Sequence, residues 1–376
     1  MKKRLLMVFG TRPEAIKMAP LALTLKKNKK INFKICITSQ HKQMLYQVLN
    51  FFNIKPDYDL KVMRRSQSLS SLTSKIILSL EPIFAEFKPD MVIVHGDTTT
   101  TLSASLAAYY HKSAICHIEA GLRTHNKNSP WPEEINRNLV GSLADLHFAP
   151  TQSSKENLIL EGINKRNIHV VGNTVIDALM KTIEIINKNP LLESQIKKSL
   201  PAINNSKKTI LVTCHRRESF GTGIKNICKA LLILSKRKDL QIIYPVHLNP
   251  NIKNIVTKSL SSASNIFLTE PLSYEAFTYL IGKSYLILTD SGGIQEEAPA
   301  LGKPVLVMRD TTERLEALQA NTAILVGTLA KDIILNTNKL LDNGHLYKRM
   351  SIAKNPFGDG KSSERIVKKI INFIDA

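Results

Sequence analysis

Short apolar runs alternate with longer segments whose apolar positions recur at helical spacing, from one end of the chain to the other. A strand of a parallel sheet is buried on both faces and reads as a continuous apolar run, whereas its covering helix is apolar on one stripe. The alternation therefore predicts parallel sheets wrapped in helices. In the first half it places strands at Leu5–Phe9, Phe33–Thr38, Met91–Val94, Ile115–Ile118 and Leu146–Ala149. Helices fall at Ala15–Lys26, Gln43–Phe52, Ser70–Glu86 and Thr100–His111. A second series puts strands at Ile210–Thr213, Gln241–Val246, Ile266–Leu268, Tyr285–Thr289 and Val305–Met308, with helices at Ile224–Arg237, Tyr274–Lys283 and Lys331–Leu341.

The fold class is α/β, with two doubly wound, Rossmann-like domains of similar plan. Their join lies within His169–Pro190, where a strand, the turn Gly172-Asn173-Thr174 and a helix lead into the polar stretch Lys197–Lys208. Residues 1–171 and 172–357 are expected as the two domains, and residues 358–376 as a terminal helix packing back on the first. No low-complexity linker separates the halves, so a shared cleft is expected.

Composition changes this picture little. A length of 376 residues suits two domains, and 43% hydrophobic with 22% charged residues is ordinary for a globular protein. The formal charge of +21 invites a nucleic-acid reading. The basic residues are scattered, though, with short clusters such as Lys26-Lys27-Asn28-Lys29-Lys30, and no aromatic-basic interleaving or zinc-finger pattern accompanies them. Nucleic acid is therefore not the expected partner; a basic surface does attract a small anion. Cys36, Cys116, Cys214 and Cys228 never form C-x-x-C and two of them lie in apolar runs, so a reduced, cytoplasmic protein is expected. The apolar run after Met1-Lys2-Lys3-Arg4 is too short for a signal peptide, and no stretch approaches membrane-spanning length.

Ligands of open parallel sheets bind beyond the carboxyl ends of the strands, so polar residues there carry the candidate chemistry. The first strand ends in Gly10-Thr11-Arg12-Pro13-Glu14-Ala15-Ile16-Lys17, where Arg12 and Lys17 are within reach of a phosphate or carboxylate. Met91–Val94 ends in His95-Gly96-Asp97, and Ile115–Ile118 in Glu119. Asp97 taken alone reads as a helix cap. Paired with Glu119 on a neighbouring strand end, it suits acid/base work. Ser129-Pro130-Trp131-Pro132-Glu133-Glu134 is a proline-stiffened loop that positions two more acids, although acids also open ordinary helices. In the second half, Cys214-His215-Arg216-Arg217 ends a strand with cations. The following Gly221-Thr222-Gly223 lacks the third glycine of a dinucleotide fingerprint. Asp290-Ser291-Gly292-Gly293 opens a helix whose bare N–H groups suit a diphosphate, with Glu297 one turn in, near ribose hydroxyls.

Beyond these spacings, the chain resembles the non-hydrolysing UDP-N-acetylglucosamine 2-epimerases of bacteria over nearly its whole length. The matching blocks are GTRPEAIKMAP at Gly10–Pro20, VHGDTTTT at Val94–Thr101, HIEAGLRT at His117–Thr124 and SPWPEE at Ser129–Glu134. They continue with GNTVIDAL at Gly172–Leu179, HRRESFG at His215–Gly221, YPVHLNP at Tyr244–Pro250, LTDSGGIQEEAP at Leu288–Pro299 and RDTTER at Arg309–Arg314. The resemblance implies a GT-B fold, a homodimer, and no cofactor or metal. It implies Arg12, Lys17, His215, Ser291, Gly292, Gly293, Glu297 and Arg314 around the nucleotide, with Leu272 and Phe277 beside the uracil. It implies Asp97, Glu119 and Glu133 as the acids at the sugar, with His215 needed for turnover. Some members bind a second UDP-N-acetylglucosamine as an activator, and the matching positions are Gln40, Gln43, Glu133, Arg216 and His247. Departures from the family pattern are Cys214 for glycine or alanine, Leu315 for proline, and Phe357 for tyrosine.

The C2 proton of the sugar is not flanked by a carbonyl, so the implied reaction lets UDP depart first. That asks for cations and N–H donors at the diphosphate and carboxylates at the ring. The rival readings are a hydrolysing epimerase releasing N-acetylmannosamine and UDP, a glycosyltransferase of the same fold, and a non-catalytic sensor of nucleotide sugars.

Overall fold

In the computed structural model, which describes residues 2–39, 42–64, 67–216 and 221–375, the chain forms two compact units. One comprises Met1–Ala178 with Phe357–Ala376, the other Leu179–Pro356. The first contains β1 (Lys3–Phe9), α1 (Arg12–Lys26), β2 (Ile31–Ile37), α2 (Lys42–Phe51), β3 (Tyr58–Asp59), α3 (Leu69–Phe87) and β4 (Met91–His95). It continues with α4 (Thr99–Tyr110), β5 (Ala114–Ile118), α5 (Glu133–Leu143), β6 (Leu146–Ala149), α6 (Gln152–Leu160), β7 (Ile168–Val170) and the start of α7 (Thr174–Lys188). Its seven strands are parallel in the order β3-β2-β1-β4-β5-β6-β7.

The second unit holds α8 (Pro190–Ser199), β8 (Lys208–Thr213), α9 (Thr222–Leu234), β9 (Leu240–Pro245), α10 (Pro250–Leu260), β10 (Ile266–Thr269) and α11 (Tyr274–Lys283). Then come β11 (Leu286–Thr289), α12 (Gly292–Ala300), β12 (Val305–Val307), α13 (Leu315–Gln319), β13 (Ala323–Leu325), α14 (Ala330–Asp342) and α15 (Gly344–Ser351). Its parallel order is β10-β9-β8-β11-β12-β13. Each sheet thus starts in its middle, winds outward, and crosses back, as the alternating pattern predicts. The crossing leaves a switch point between β1 and β4 and another between β8 and β11, where the loops of adjacent strands part.

Apart from their first residues, the central strands β1, β4, β8 and β11 are buried because helices cover both faces. All five residues of β4 are buried, and Leu5 to Val8 of β1 are inaccessible. Leu6, Val8, Val92 and Val94 pack with Ile76, Leu80 and Phe84 of α3 and the small residues Ala104, Ala107 and Ala108 of α4. In the second unit, Ile210, Val212, Leu286 and Leu288 meet Ile224, Ile227 and Leu231 of α9. Fully burying one such aliphatic chain contributes roughly 1.5–3 kcal/mol. The final helix, α16 (Ser362–Asp375), packs on α1, and the Asp177 carboxylate accepts from the N–H groups of Ser362 (3.1 Å) and Ser363 (2.6 Å) at its start. No helix among the described residues is long and apolar enough to cross a membrane.

The pattern does not disclose the edge strands β3 and β13. They are two and three residues long, too short to form an apolar run, which is how sheet edges are commonly blunted.

Candidate active site

At the C-terminal edge of the first sheet, the turn after β1 is shaped by close approach. A Cβ on Gly10 would collide with Thr38 Oγ1 and lie 2.7 Å from Thr100 Oγ1, so only glycine fits between β2 and α4. Thr11 caps α1 in a capping box with Glu14. Glu14 Oε2 accepts from Gly10 N (3.0 Å) and Thr11 N (2.7 Å), and Oε1 from the hydroxyl of Thr98 (2.7 Å). Burial raises the Glu14 pKa, and these donors oppose the rise. One buried carboxylate thereby ties the Arg12 turn to the loop that carries Asp97.

Thr98, not Asp97, is the N-cap of α4; its side chain accepts from Thr101 N at 3.2 Å. The Asp97 carboxylate is left for another partner. Oδ2 accepts from Arg137 Nε (2.8 Å) and lies 2.6 Å from its terminal nitrogen, while Asn136 Nδ2 donates to the Asp97 carbonyl at 2.8 Å. Arg137 also donates to Glu134 Oε2 at 2.9 Å. Glu134 in turn accepts from the N–H groups of Thr124 and His125, both at 3.0 Å. Burial acts to raise its pKa, but those donors and Arg137 hold it below the ordinary value. Of the two acids in the Pro-Glu-Glu loop, then, Glu134 is buried in structural bonds and Glu133 stands half-buried at the first position of α5.

Glu119 follows β5 directly and has φ of +61°, the left-handed region that non-glycine residues rarely occupy. Such a conformation costs on the order of 1–3 kcal/mol and persists only where surroundings enforce it. Its Oε2 accepts from Asn173 Nδ2 (2.7 Å) and from Lys17 Nζ. Lys17, which the resemblance implies at the nucleotide, is engaged here with the acid. His95 Nε2 lies 3.9 Å from the same oxygen. Burial drives the His95 pKa down to about 4; Glu119 pulls it up and Lys17 pushes it further down, so the ring is neutral near pH 7. His117, whose Nε2 donates to Gly96 O at 2.7 Å, is held by burial at about 3.

The edge of the second sheet is built with the opposite charge. Asp290, wholly buried at the end of β11, accepts with Oδ2 from His215 N and Arg216 N, both at 2.8 Å, and its Oδ1 lies 3.2 Å from His215 Nδ1. Burial lowers the His215 pKa, against the pull of Asp290. The His215 ring stacks on His247 with centroids 6.1 Å apart. Ser291 is the N-cap residue of α12, and Gly292 and Gly293 open the helix. A Cβ on Gly292 would lie 3.2 Å from Glu313 Oε1, 3.6 Å from Arg216 and 3.7 Å from the Arg314 guanidinium carbon. Glu313 accepts from Arg216 (3.0 Å) and Arg309 (2.7 Å), and Arg314 Nε donates to Glu296 at 2.6 Å. Although burial acts against it, Arg314 and Arg216 bring Glu313 to a pKa of about 2. Glu297 Oε1 accepts from Tyr274 at 3.4 Å, and half-buried Leu272 and Phe277 flank the start of α11.

The first edge therefore gathers Lys17, Asp97 and Glu119, with Arg12 and Glu133 at the starts of α1 and α5. The second gathers His215, Arg216, His247, Ser291, Gly292, Gly293, Glu297 and Arg314. Gln40 and the Gln43 side chain, like Arg217 to Phe220, lie outside the described residues. Sequence reasoning missed His95, Arg137, Asn173 and Asp290 as site residues. Only Arg137 carried a local signal, its i,i+3 spacing from Glu134 on one helix.

The family model described as UDP-N-acetylglucosamine 2-epimerase matches residues 23–371. A UDP-N-acetylglucosamine 2-epimerase of Campylobacter jejuni is 52% identical over 375 residues, covering 99% of this chain and 98% of the relative. That of Escherichia coli K12 is 52% identical over 370 residues, covering 98% of each. A crystal structure of the Neisseria meningitidis UDP-GlcNAc 2-epimerase bound to UDP-GlcNAc superimposes with a TM-score of 0.90 at 51% identity, over 98% of this chain and 100% of that one. With two doubly wound units, both edges furnished as described and full-length likeness at this level, the chain belongs to the UDP-N-acetylglucosamine 2-epimerase family.

Proposed function

We propose that this epimerase interconverts UDP-N-acetylglucosamine and UDP-N-acetylmannosamine by elimination and re-addition of UDP. The C1–O bond breaks with its electron pair leaving on UDP, and a carboxylate takes the C2 proton. The product is bound 2-acetamidoglucal, with a C1=C2 double bond. A second acid then protonates C2 from the opposite face, and UDP oxygen re-adds to C1. Asp97, Glu119 and Glu133 serve the ring. Arg12, Lys17, His215, the Ser291–Gly293 turn and Arg314 serve the departing diphosphate, Glu297 the ribose, and Leu272 and Phe277 the uracil.

The observation that carries this reading is Glu119, a carboxylate kept in a left-handed conformation and bound by an ammonium and an amide at a strand end. A pure binder of nucleotide sugars has no need of an acid held at that cost. The bowl of arginines around the α12 N-terminus supplies what a leaving diphosphate requires. The Neisseria meningitidis relative was crystallised with UDP-GlcNAc, and a Methanocaldococcus jannaschii relative, 35% identical, with UDP-GlcNAc and UDP, which supports the ligand class. We place the protein in the cytoplasm as a homodimer.

Turnover of UDP-N-acetylglucosamine in heavy water, followed by NMR, tests the proposal. The expected product is UDP-N-acetylmannosamine carrying deuterium at C2. Accumulation of free N-acetylmannosamine and UDP would assign the hydrolysing reaction instead. Inversion without deuterium uptake would exclude a solvent-equilibrated acid.

A further inference from the structure

The turn between β7 and α7 is a sequence block that the proposed reaction leaves unused. Gly172 there has φ of +92°, and a Cβ on it would lie 2.7 Å from Ser362 Oγ and 3.1 Å from both Gly358 Cα and Phe357 O. The turn is wedged against residues 357–362 with no space for a side chain. Asn173, 2% exposed, follows. Its N–H donates to Phe357 O at 2.6 Å and its side-chain oxygen accepts from Val175 N at 3.1 Å, in the first turn of α7. Its side-chain nitrogen donates to Glu119 Oε2 at 2.7 Å. An amide offers an acceptor and donors on one rigid plane, so the bond to Val175 N orients the bond to Glu119.

The other groups facing Glu119 do a different job. Lys17 of α1 brings charge on a flexible stem, which sets protonation better than direction. His95 of β4 is buried and makes no hydrogen bond through either ring nitrogen among the described residues. The Asn173 amide is fixed by a bond of its own to the backbone, from Val175 N. We infer that Asn173 is a positioning residue of the epimerase, whose amide N–H aims the Glu119 carboxylate at the C2 proton and anchors it to the 357–362 segment.

This inference rests on Glu119 serving the sugar, so the test separates the two. Asn173→Asp keeps the acceptor for Val175 N and the side-chain shape, but sets an oxygen against Glu119 in place of the donor. We expect kcat to fall about 100-fold, the loss that misplacing a reacting group by an ångström produces. KM should stay within about threefold, as befits an interaction used in the transition state. The acid limb of the kcat profile should move to higher pH, because a donor to the charged form is lost and a like charge gained. The melting temperature should stay near that of the parent. A variant with parental kcat, or one whose kcat falls with an unmoved acid limb and a lowered melting temperature, overturns the inference. Should Asn173→Asp not fold, Asn173→Ser, which retains a hydroxyl acceptor, is read by the same criteria. Glu119→Gln is assayed alongside. If it turns over normally, the role of Glu119 fails and the inference with it; if it is inactive while Asn173→Asp is fully active, the inference alone fails.

Discussion

The edges of the two sheets use ion pairs in opposite senses. In the first unit the acids at the strand ends are held by cations and an amide: Arg137 on Asp97, Lys17 and Asn173 on Glu119. In the second, cations beside the start of α12 are held by acids: Asp290 under His215, Glu313 across Arg216 and Arg309, Glu296 on Arg314. The supports differ in what they do. On the first edge Arg137 and Asn173 each grip one oxygen of their acid, which sets direction, and Lys17 adds charge. Glu313 stands beside Gly292 at the start of α12 and pairs with three guanidinium groups, which concentrates positive charge there. In the proposed reaction proton transfer needs an aimed group and a diphosphate a concentrated field, and the two networks suit that division.

Replacing Arg137 by Met should expose the aiming function most sharply. The variant keeps much of the apolar stem but frees Asp97 and leaves Glu134 with its backbone donors alone, and kcat should drop about 100-fold with a modest change in KM. Steady-state kinetics decide it; parental kcat would show that Asp97 needs no support. On the second edge, Gly292→Ala pushes a methyl toward Glu313 and the arginines. It should raise the UDP dissociation constant about tenfold, equivalent to roughly 1.4 kcal/mol, by titration calorimetry. Unchanged affinity would place the diphosphate elsewhere. The smallest effect concerns Glu134→Gln. The folded Glu134 pKa is depressed below its ordinary 4.5, so its contribution is present above that pH and lost as pH falls through the folded value. Parent and variant should differ by about 1–2 kcal/mol in urea unfolding at pH 7. The gap should close in the acid range, and a gap constant with pH would count against a charge-dependent staple.

Much of the fold was legible because a strand covered on both faces is apolar where it is buried, as in Leu5–Phe9 of β1 and Met91–Val94 of β4. Helix α5 was not, since its apolar stripe is interrupted by Glu133, Glu134, Asn136 and Arg137, polar residues held by long-range hydrogen bonds in the case of Glu134, Asn136 and Arg137. The acids themselves were legible, each following a strand or a stiff loop. Their partners were not. Arg137 lies 40 residues from Asp97, Asn173 54 from Glu119, and Asp290 75 from His215.

By itself the sequence determined the two parallel sheets and the strand ends that carry polar residues. These follow from local periodicity and from which residues end each apolar run. Tertiary structure alone decided that Lys17 turns to Glu119, that Thr98 rather than Asp97 caps α4, and that Glu119 is left-handed. The reason is that parallel strands meet only through long crossovers, so the partners of a side chain at a strand end are set by strand order, which no local pattern encodes.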